Sequence, residues 1–261
     1  MIFSASVSVA ADSSRVLTTG SSTVAPVIAE LARIYEEKTP GVQIDVETGG
    51  SSRGVADALK GAVDFGMASR ALKPEEEALG LRAITIAYDG IAIILHKENP
   101  VEQLSDSQIR AIYTGKITNW NEVGGSDGPI VVVNKAQGRS TLELFLEHFS
   151  LKPQDIRASS IIGDNQQGIK LVSKNPPAIG YVSIGAAEYE AKQGTSLKLL
   201  PLSGVEASIT NVKNGTYPLV RPLNLVAKGE LNESATAFID FATSREALET
   251  VRKLYFVPLH G

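Results

Sequence analysis

The chain has 261 residues, 43% of them hydrophobic and 21% charged, with a formal net charge of −4. That composition is ordinary for a globular protein able to bury a real core, and the length suits two lobes or one large domain. The acidic balance lacks the excess of Lys and Arg that holds a nucleic-acid backbone, and the absence of cysteine removes disulfides, thiolate metal sites and cysteine nucleophiles.

No stretch approaches the roughly 18 apolar residues that a membrane-spanning helix needs. Residues 1–14 open with small and apolar side chains ending in Ser8-Val9-Ala10-Ala11, which reads as a signal remnant or an unstructured start. From Arg15 onward, short β-type runs alternate with helical patterns, the signature of an α/β architecture. Arg15 to Thr19 is expected as a strand, and Val27, Ile28, Leu31, Ile34 and Tyr35 then recur at helical spacing until Thr39-Pro40-Gly41. Val42 to Val46 is the next strand, followed by a helix bearing Val55, Ala58 and Leu59, a strand over Ala62 to Met67 and a charged helix from Lys73.

Ile84 to Leu95 is the longest apolar stretch, interrupted by Tyr88-Asp89-Gly90, which suggests a strand leaving one sheet for another. A helix follows over Ser105 to Tyr113 with Ser105 as its cap, then a strand at Ile130 to Val133 and a helix carrying Leu142, Phe145, Leu146 and Phe149. Ile179 to Val182, Leu197 to Leu200 and Leu219 to Ala227 complete the strands, the last interrupted at Pro222. Helical patterns through Phe238, Phe241, Leu248 and Val251 close the chain. The two interrupted strands predict two crossings between lobes, one lobe comprising 15–87 plus 221–261 and the other 88–220.

Three times a strand runs into a small, hydroxyl-rich loop that opens a helix: Gly20-Ser21-Ser22-Thr23, Gly49-Gly50-Ser51-Ser52 and Gly138-Arg139-Ser140-Thr141. A helix start exposes unpaired N–H groups and partial positive charge, so it suits an anion. Glycine permits close backbone approach and the hydroxyls add donors. One such loop is explained by ordinary helix capping; three together, one with an arginine, point to an oxyanion site.

The strings TTGSSTVAPVIAELARIYEEKTPGVQIDVETGGSSRGVADALKGAVDFGMASR, GKITNW, GRSTLELF, PPAIGYVSIGAAE and YPLVRPLNLVAKG resemble the phosphate-binding proteins of ABC transporters over nearly the whole chain. The resemblance implies a two-lobed Venus-flytrap of the type II periplasmic-binding-protein kind, with two mixed sheets flanked by helices and ligand buried between the lobes. It implies capture of inorganic phosphate without catalysis and delivery to a membrane permease. It also implies a monomer without cofactor or metal, periplasmic or extracellular, free or membrane-associated.

Carried over by position, the family's loops match Ser22 and Thr23, Ser51, and Gly138 to Thr141, with Gly138, Arg139, Ser140 and Thr141 all expected as phosphate contacts. The family's arginine ahead of the third loop is Lys135 here, while Arg139 stands inside the loop. Arg139 is the expected cationic fork, because a planar guanidinium matches an oxyanion bidentately; Lys135 is the other candidate. Where some members carry an aspartate after the third strand, this chain has Arg70. Asp89 is then the expected acceptor for the proton of hydrogen phosphate, the plainer alternative being a turn residue.

Other readings have less support. A hydrolase using Ser140 or Thr141 needs a nearby base, and neither a G-x-S-x-G elbow nor a complete P-loop is present. A receptor for sulfate, molybdate or tungstate would share this architecture, and a phosphate scavenger without an importer would use the same lobes.

Overall fold

The structure is a computed structural model and describes residues 14–259. The start expected as a signal remnant lies outside the described residues apart from Ser14. The elements are β1 (Ser14–Gly20), α1 (Ala25–Lys38), β2 (Val42–Thr48), α2 (Ser51–Lys60), β3 (Phe65–Ala68), the short α3 (Pro74–Ala78) and the long β4 (Leu81–His96). There follow α4 (Asp106–Tyr113), β5 (Val131–Lys135), α5 (Ser140–His148), β6 (Ser160–Ile162), α6 (Asn165–Ser173), β7 (Ala178–Ser183), α7 (Ile184–Lys192), β8 (Leu197–Leu199) and α8 (Ile209–Lys213). The chain ends with β9 (Val220–Lys228), α9 (Glu233–Ala242), α10 (Ala247–Lys253) and β10 (Val257–Pro258).

The hydrophobic pattern places the helices on the sheets as a spacing near 3.6 demands. Val27, Ile28 and Leu31 of α1 are fully buried against β1 and the C-terminal helices. β3 begins later than its apolar run because Ala62 to Asp64 form the turn after α2. That turn is fixed by the left-handed Gly61 and by the Asp64 carboxylate, which accepts the Leu17 amide at 2.8 Å.

β1 lies parallel between β2 and β3, and β9 joins this sheet antiparallel to β3. β4 is the spine. From Leu81 to Gly90 it pairs with β9, and from Ile91 to His96 it pairs with β7 and β8 instead, with β5 and β6 beyond β7. Tyr88-Asp89-Gly90 and Pro222, expected as interruptions, therefore sit inside continuous strands. A register shift between Thr85 and Ala87 accommodates the bend, and Pro222, opposite Tyr88, lies beyond the residues of β9 that pair with β3.

Two cores flank this spine. Val16, Leu31, Phe65, Ile86, Leu225, Phe238, Val251 and Phe256 belong to one; Ile91, Ile109, Tyr113, Phe145, Tyr181 and Tyr217 belong to the other. Along the chain these two clusters exchange between Ala87 and Ile91 within β4 and between Leu219 and Leu223 at β9, and Val257 of β10 returns to the second. Helix α6 was not legible: its sequence NQQGIKLVS opens on polar residues. Gly168 is what seats it, since a Cβ there would lie 2.7 Å from Ile162 Cδ1.

Candidate oxyanion site

The site lies where three strand ends of the two lobes meet at the crossing strands. Gly20 closes β1 at φ 137°, and a Cβ there would lie 2.2 Å from the Met67 carbonyl oxygen, so only glycine lets the loop turn against β3. The next residue, Ser21, caps the start of the following turn by accepting the Thr23 and Val24 amides at 3.2 and 3.3 Å. Its hydroxyl also reaches Ser69 Oγ at 2.9 Å. Gly50 plays the corresponding part between lobes: its φ is 96°, and a Cβ would meet the Gly138 carbonyl oxygen at 2.6 Å. That carbonyl accepts the Ser52 amide at 3.2 Å, tying the second loop to the third.

A chain of hydroxyls results. Ser51 Oγ donates to Ser140 Oγ at 3.0 Å and accepts the Ser69 amide at 3.1 Å, while Ser69 Oγ and Ser140 Oγ are 2.6 Å apart. Ser21, Thr23, Ser51, Ser69, Ser140 and Thr141 are all buried. Such groups persist away from water only when each finds a partner.

The cation at their centre is Arg221. It is 1% exposed, and one guanidinium reaches Thr141 Oγ1 at 2.8 Å, Ser69 Oγ at 3.3 Å and Thr23 Oγ1 at 3.2 Å. Its Nε and Nη2 both donate to Asp89 Oδ2, at 3.1 and 2.8 Å. The guanidinium hydrogen-bonded to these hydroxyls is therefore that of Arg221, a residue the glycine-hydroxyl loops do not contain. Arg139 precedes α5, its Nη2 passes close to Gly163, and its Nη1 is buried without a hydrogen-bond partner among the described residues.

The remaining expected residues are placed as follows. Thr23, Ser51, Ser140 and Thr141 join the network, and Gly138 supplies the left-handed turn, φ 78°, ahead of it. Ser22 stands beside it, half-buried, on an inter-lobe groove of about 500 Å³ shared with Thr23, Pro26, Asn165, Tyr189 and Phe256. Asp89 is wholly buried with Oδ2 on Arg221 and Oδ1 accepting the Gly185 amide at 3.1 Å. Both carboxylate oxygens therefore already serve protein donors. Arg70 pairs with neither Asp89 nor the hydroxyls. It grips Glu76 through two contacts of 2.8 Å, and its Nε lies 3.0 Å from Glu143 Oε2 across the cleft. Burial works against its charge, yet Glu76 and Glu143 outweigh that and hold its pKa above the ordinary value.

Arg221, Ser69 and Asn165 escape a search for glycine-hydroxyl loops. The available signal for Arg221 was a lone charge inside the apolar strand Leu219 to Ala227, where burial demands a partner. Asn165 donates to Thr23 Oγ1 at 3.0 Å and accepts from Lys135 Nζ at 3.2 Å, extending the network behind the hydroxyls. No group of three metal-ligating side chains exists among the described residues.

This arrangement, two α/β lobes joined by crossing strands with buried anion-type donors between them, defines a ligand-binding protein of the periplasmic-binding-protein class. A model of the PBP superfamily domain matches residues 5–246. The phosphate-binding protein PstS of Bacillus subtilis is 28% identical over 236 residues, covering 89% of this chain and 76% of its own. That of Staphylococcus epidermidis is 31% identical over 241 residues, covering 87% and 74%. Among solved structures, a candidate phosphate ABC transporter substrate-binding protein of Clostridium perfringens with bound phosphate superposes with a TM-score of 0.87. It is 41% identical, with 94% of this chain and 99% of that one covered. An ABC-type phosphate transport receptor of Vibrio cholerae gives 0.73 at 29% identity, covering 94% and 99%. The chain belongs to the PBP superfamily, within the family of the PstS phosphate-binding proteins.

Proposed function

We propose that this chain captures inorganic phosphate between its lobes, outside the cytoplasm, and delivers it to the membrane permease of an ABC importer without catalysing a reaction. The observation that carries this reading is the reach of the Arg221 guanidinium to Thr23, Ser69 and Thr141 at once. One cation and hydroxyls from both lobes bring together the kind of donors that a small tetrahedral anion takes. Serine and threonine hydroxyls rotate freely, so contacts now made between Ser51, Ser69 and Ser140 can turn toward phosphate oxygens.

Thr23, Ser51 and Ser69 come from one lobe and Ser140 and Thr141 from the other, while Asp89 and Arg221 lie on the crossing strands. An anion held by all of them binds the closed arrangement more tightly than an open one, and that difference shifts the lobes toward closure. Asp89 serves as the positioning residue that fixes the guanidinium. The hydroxyls, which both donate and accept, are the groups available to the proton of hydrogen phosphate. No helix among the described residues is long and apolar enough to cross a membrane, and the protein is expected to act as a monomer.

Calorimetric titration of the dialysed protein with phosphate, arsenate, sulfate and molybdate tests the reading. One phosphate per chain, tighter than sulfate or molybdate, is the expected result. Absence of phosphate binding, or preference for sulfate or molybdate, would overturn it.

A further inference from the structure

Lys135 ends β5 and is 3% exposed. Its ammonium finds one neutral acceptor, Asn165 Oδ1 at 3.2 Å, although it carries three donors. No carboxylate forms an ion pair with it among the described residues. A cation buried this way is unusual because desolvation penalises the charged form unless an anion compensates.

The groups around it deepen the imbalance. Arg221 from β9 and Arg139 ahead of α5 oppose its charge, and Asp164 at the start of α6 favours it. Asp89 of β4 is committed to Arg221 and the Gly185 amide. From β7, the Tyr181 hydroxyl accepts the Lys135 backbone amide at 3.3 Å and donates to Asn134, and burial pushes its own pKa up, so it supplies no negative charge. Burial first, then Arg221, brings the Lys135 pKa down to about 7. The amine is nevertheless wired to the hydroxyl cradle: Lys135 Nζ donates to Asn165, Asn165 Nδ2 donates to Thr23 Oγ1, and Thr23 Oγ1 also accepts from Arg221.

We propose that Lys135 is a proton-binding site coupled to anion capture: its neutral amine takes up a proton from solvent as a tetrahedral dianion settles beside Arg221. The inference rests on the phosphate reading above. An opposite charge nearby raises the pKa of an ammonium by about one to three pH units. A group half-charged near neutrality then becomes mostly charged in the complex at mildly alkaline pH. The protein thereby completes its positive field only when the ligand is present, and affinity for the dianion falls as pH rises beyond the free lysine's range.

Phosphate titrations at pH 8.5, where the ligand is already a dianion, in buffers of different ionisation enthalpy measure the protons taken up. The native protein is expected to absorb roughly 0.2 to 0.9 proton per phosphate, the range that a rise of one to three pH units gives. Lys135→Arg, charged throughout, and Lys135→Met, never charged, are expected to bind with no uptake. Uptake that persists in Lys135→Arg belongs to the phosphate and overturns the inference, as does native binding without uptake. A native protein that binds no phosphate removes the phosphate reading together with this one. Should the variants not fold, the side-chain carbon resonance of Lys135 followed against pH in the native protein decides. Its midpoint should lie near neutrality and move upward with phosphate, and an unmoved midpoint overturns the proposal.

Discussion

Arg221 and Asp89 face one another directly across β9 and β4, in register, with both side chains wholly excluded from solvent. The pair sits at the point where both strands pass between lobes, so one ion pair fixes the crossing and aims a guanidinium into the hydroxyl cluster. Removing one member of such a pair leaves an uncompensated buried charge and costs ~3–5 kcal/mol.

Arg221→Met is therefore expected to abolish phosphate binding and to lower the urea midpoint. Asp89→Asn keeps one acceptor oxygen, so its effect should be smaller, and it should weaken phosphate and sulfate by a similar factor because it acts through Arg221. Calorimetry with both anions checks this. A changed phosphate-to-sulfate ratio would instead make Asp89 a direct ligand contact.

Glu143 spans the cleft, accepting from Ser52 Oγ at 3.0 Å with its other oxygen 3.0 Å from Arg70 Nε. Arg70 keeps Glu76 as a partner when Glu143 is neutralised. Glu143→Gln should thus leave stability nearly unchanged but weaken phosphate binding by roughly 2- to 10-fold, the worth of about one partly exposed contact. Stopped-flow dissociation should show the change in the off-rate.

Gly50→Ala places a methyl 2.6 Å from the Gly138 carbonyl oxygen at a φ of 96°. The lobes cannot approach to their present separation with that group in place, beyond the ~1–2 kcal/mol a left-handed alanine costs. Small-angle scattering should show a larger radius of gyration than the native protein in saturating phosphate, with much weaker binding.

Lys135 also links stability to pH. Its pKa is lowered from 10.5 to about 7 on folding, so between those values the unfolded chain binds more protons. Through this group stability rises with pH across that window, by up to ~1.4 kcal/mol per pH unit, and is lowest below about 7. Urea unfolding at pH 7 and pH 9 should show a steeper rise for the native protein than for Lys135→Met.

Local chemistry made much of this protein legible from sequence. The helical spacing through Val27, Ile28 and Leu31, the Pro40-Gly41 stop, the Ser105 cap and the glycine-hydroxyl loops at Gly20, Gly50 and Gly138 each depend on neighbours within a few residues, so the sequence announces them. The apolar runs around Asp89 and Pro222 likewise stood out as the stretches that become β4 and β9. Their continuity as strands was not legible, because a ladder partner supplied from more than a hundred residues away decides whether a proline or aspartate breaks a strand.

The cation of the cluster was decided only by tertiary structure. Arg139 stands within the hydroxyl loop and Arg221 lies 80 residues from Thr141, so proximity in sequence does not reveal which guanidinium bonds to the hydroxyls. Folding sets β9 against β4, places Asp89 opposite Arg221 and turns that side chain into the hydroxyls, while α5 carries Arg139 toward Gly163. Sequence fixes which residues are able to donate to an anion. The pairing of distant strands selects which of those donors converge, because only the burial it creates forces a charge to take the partners that aim it.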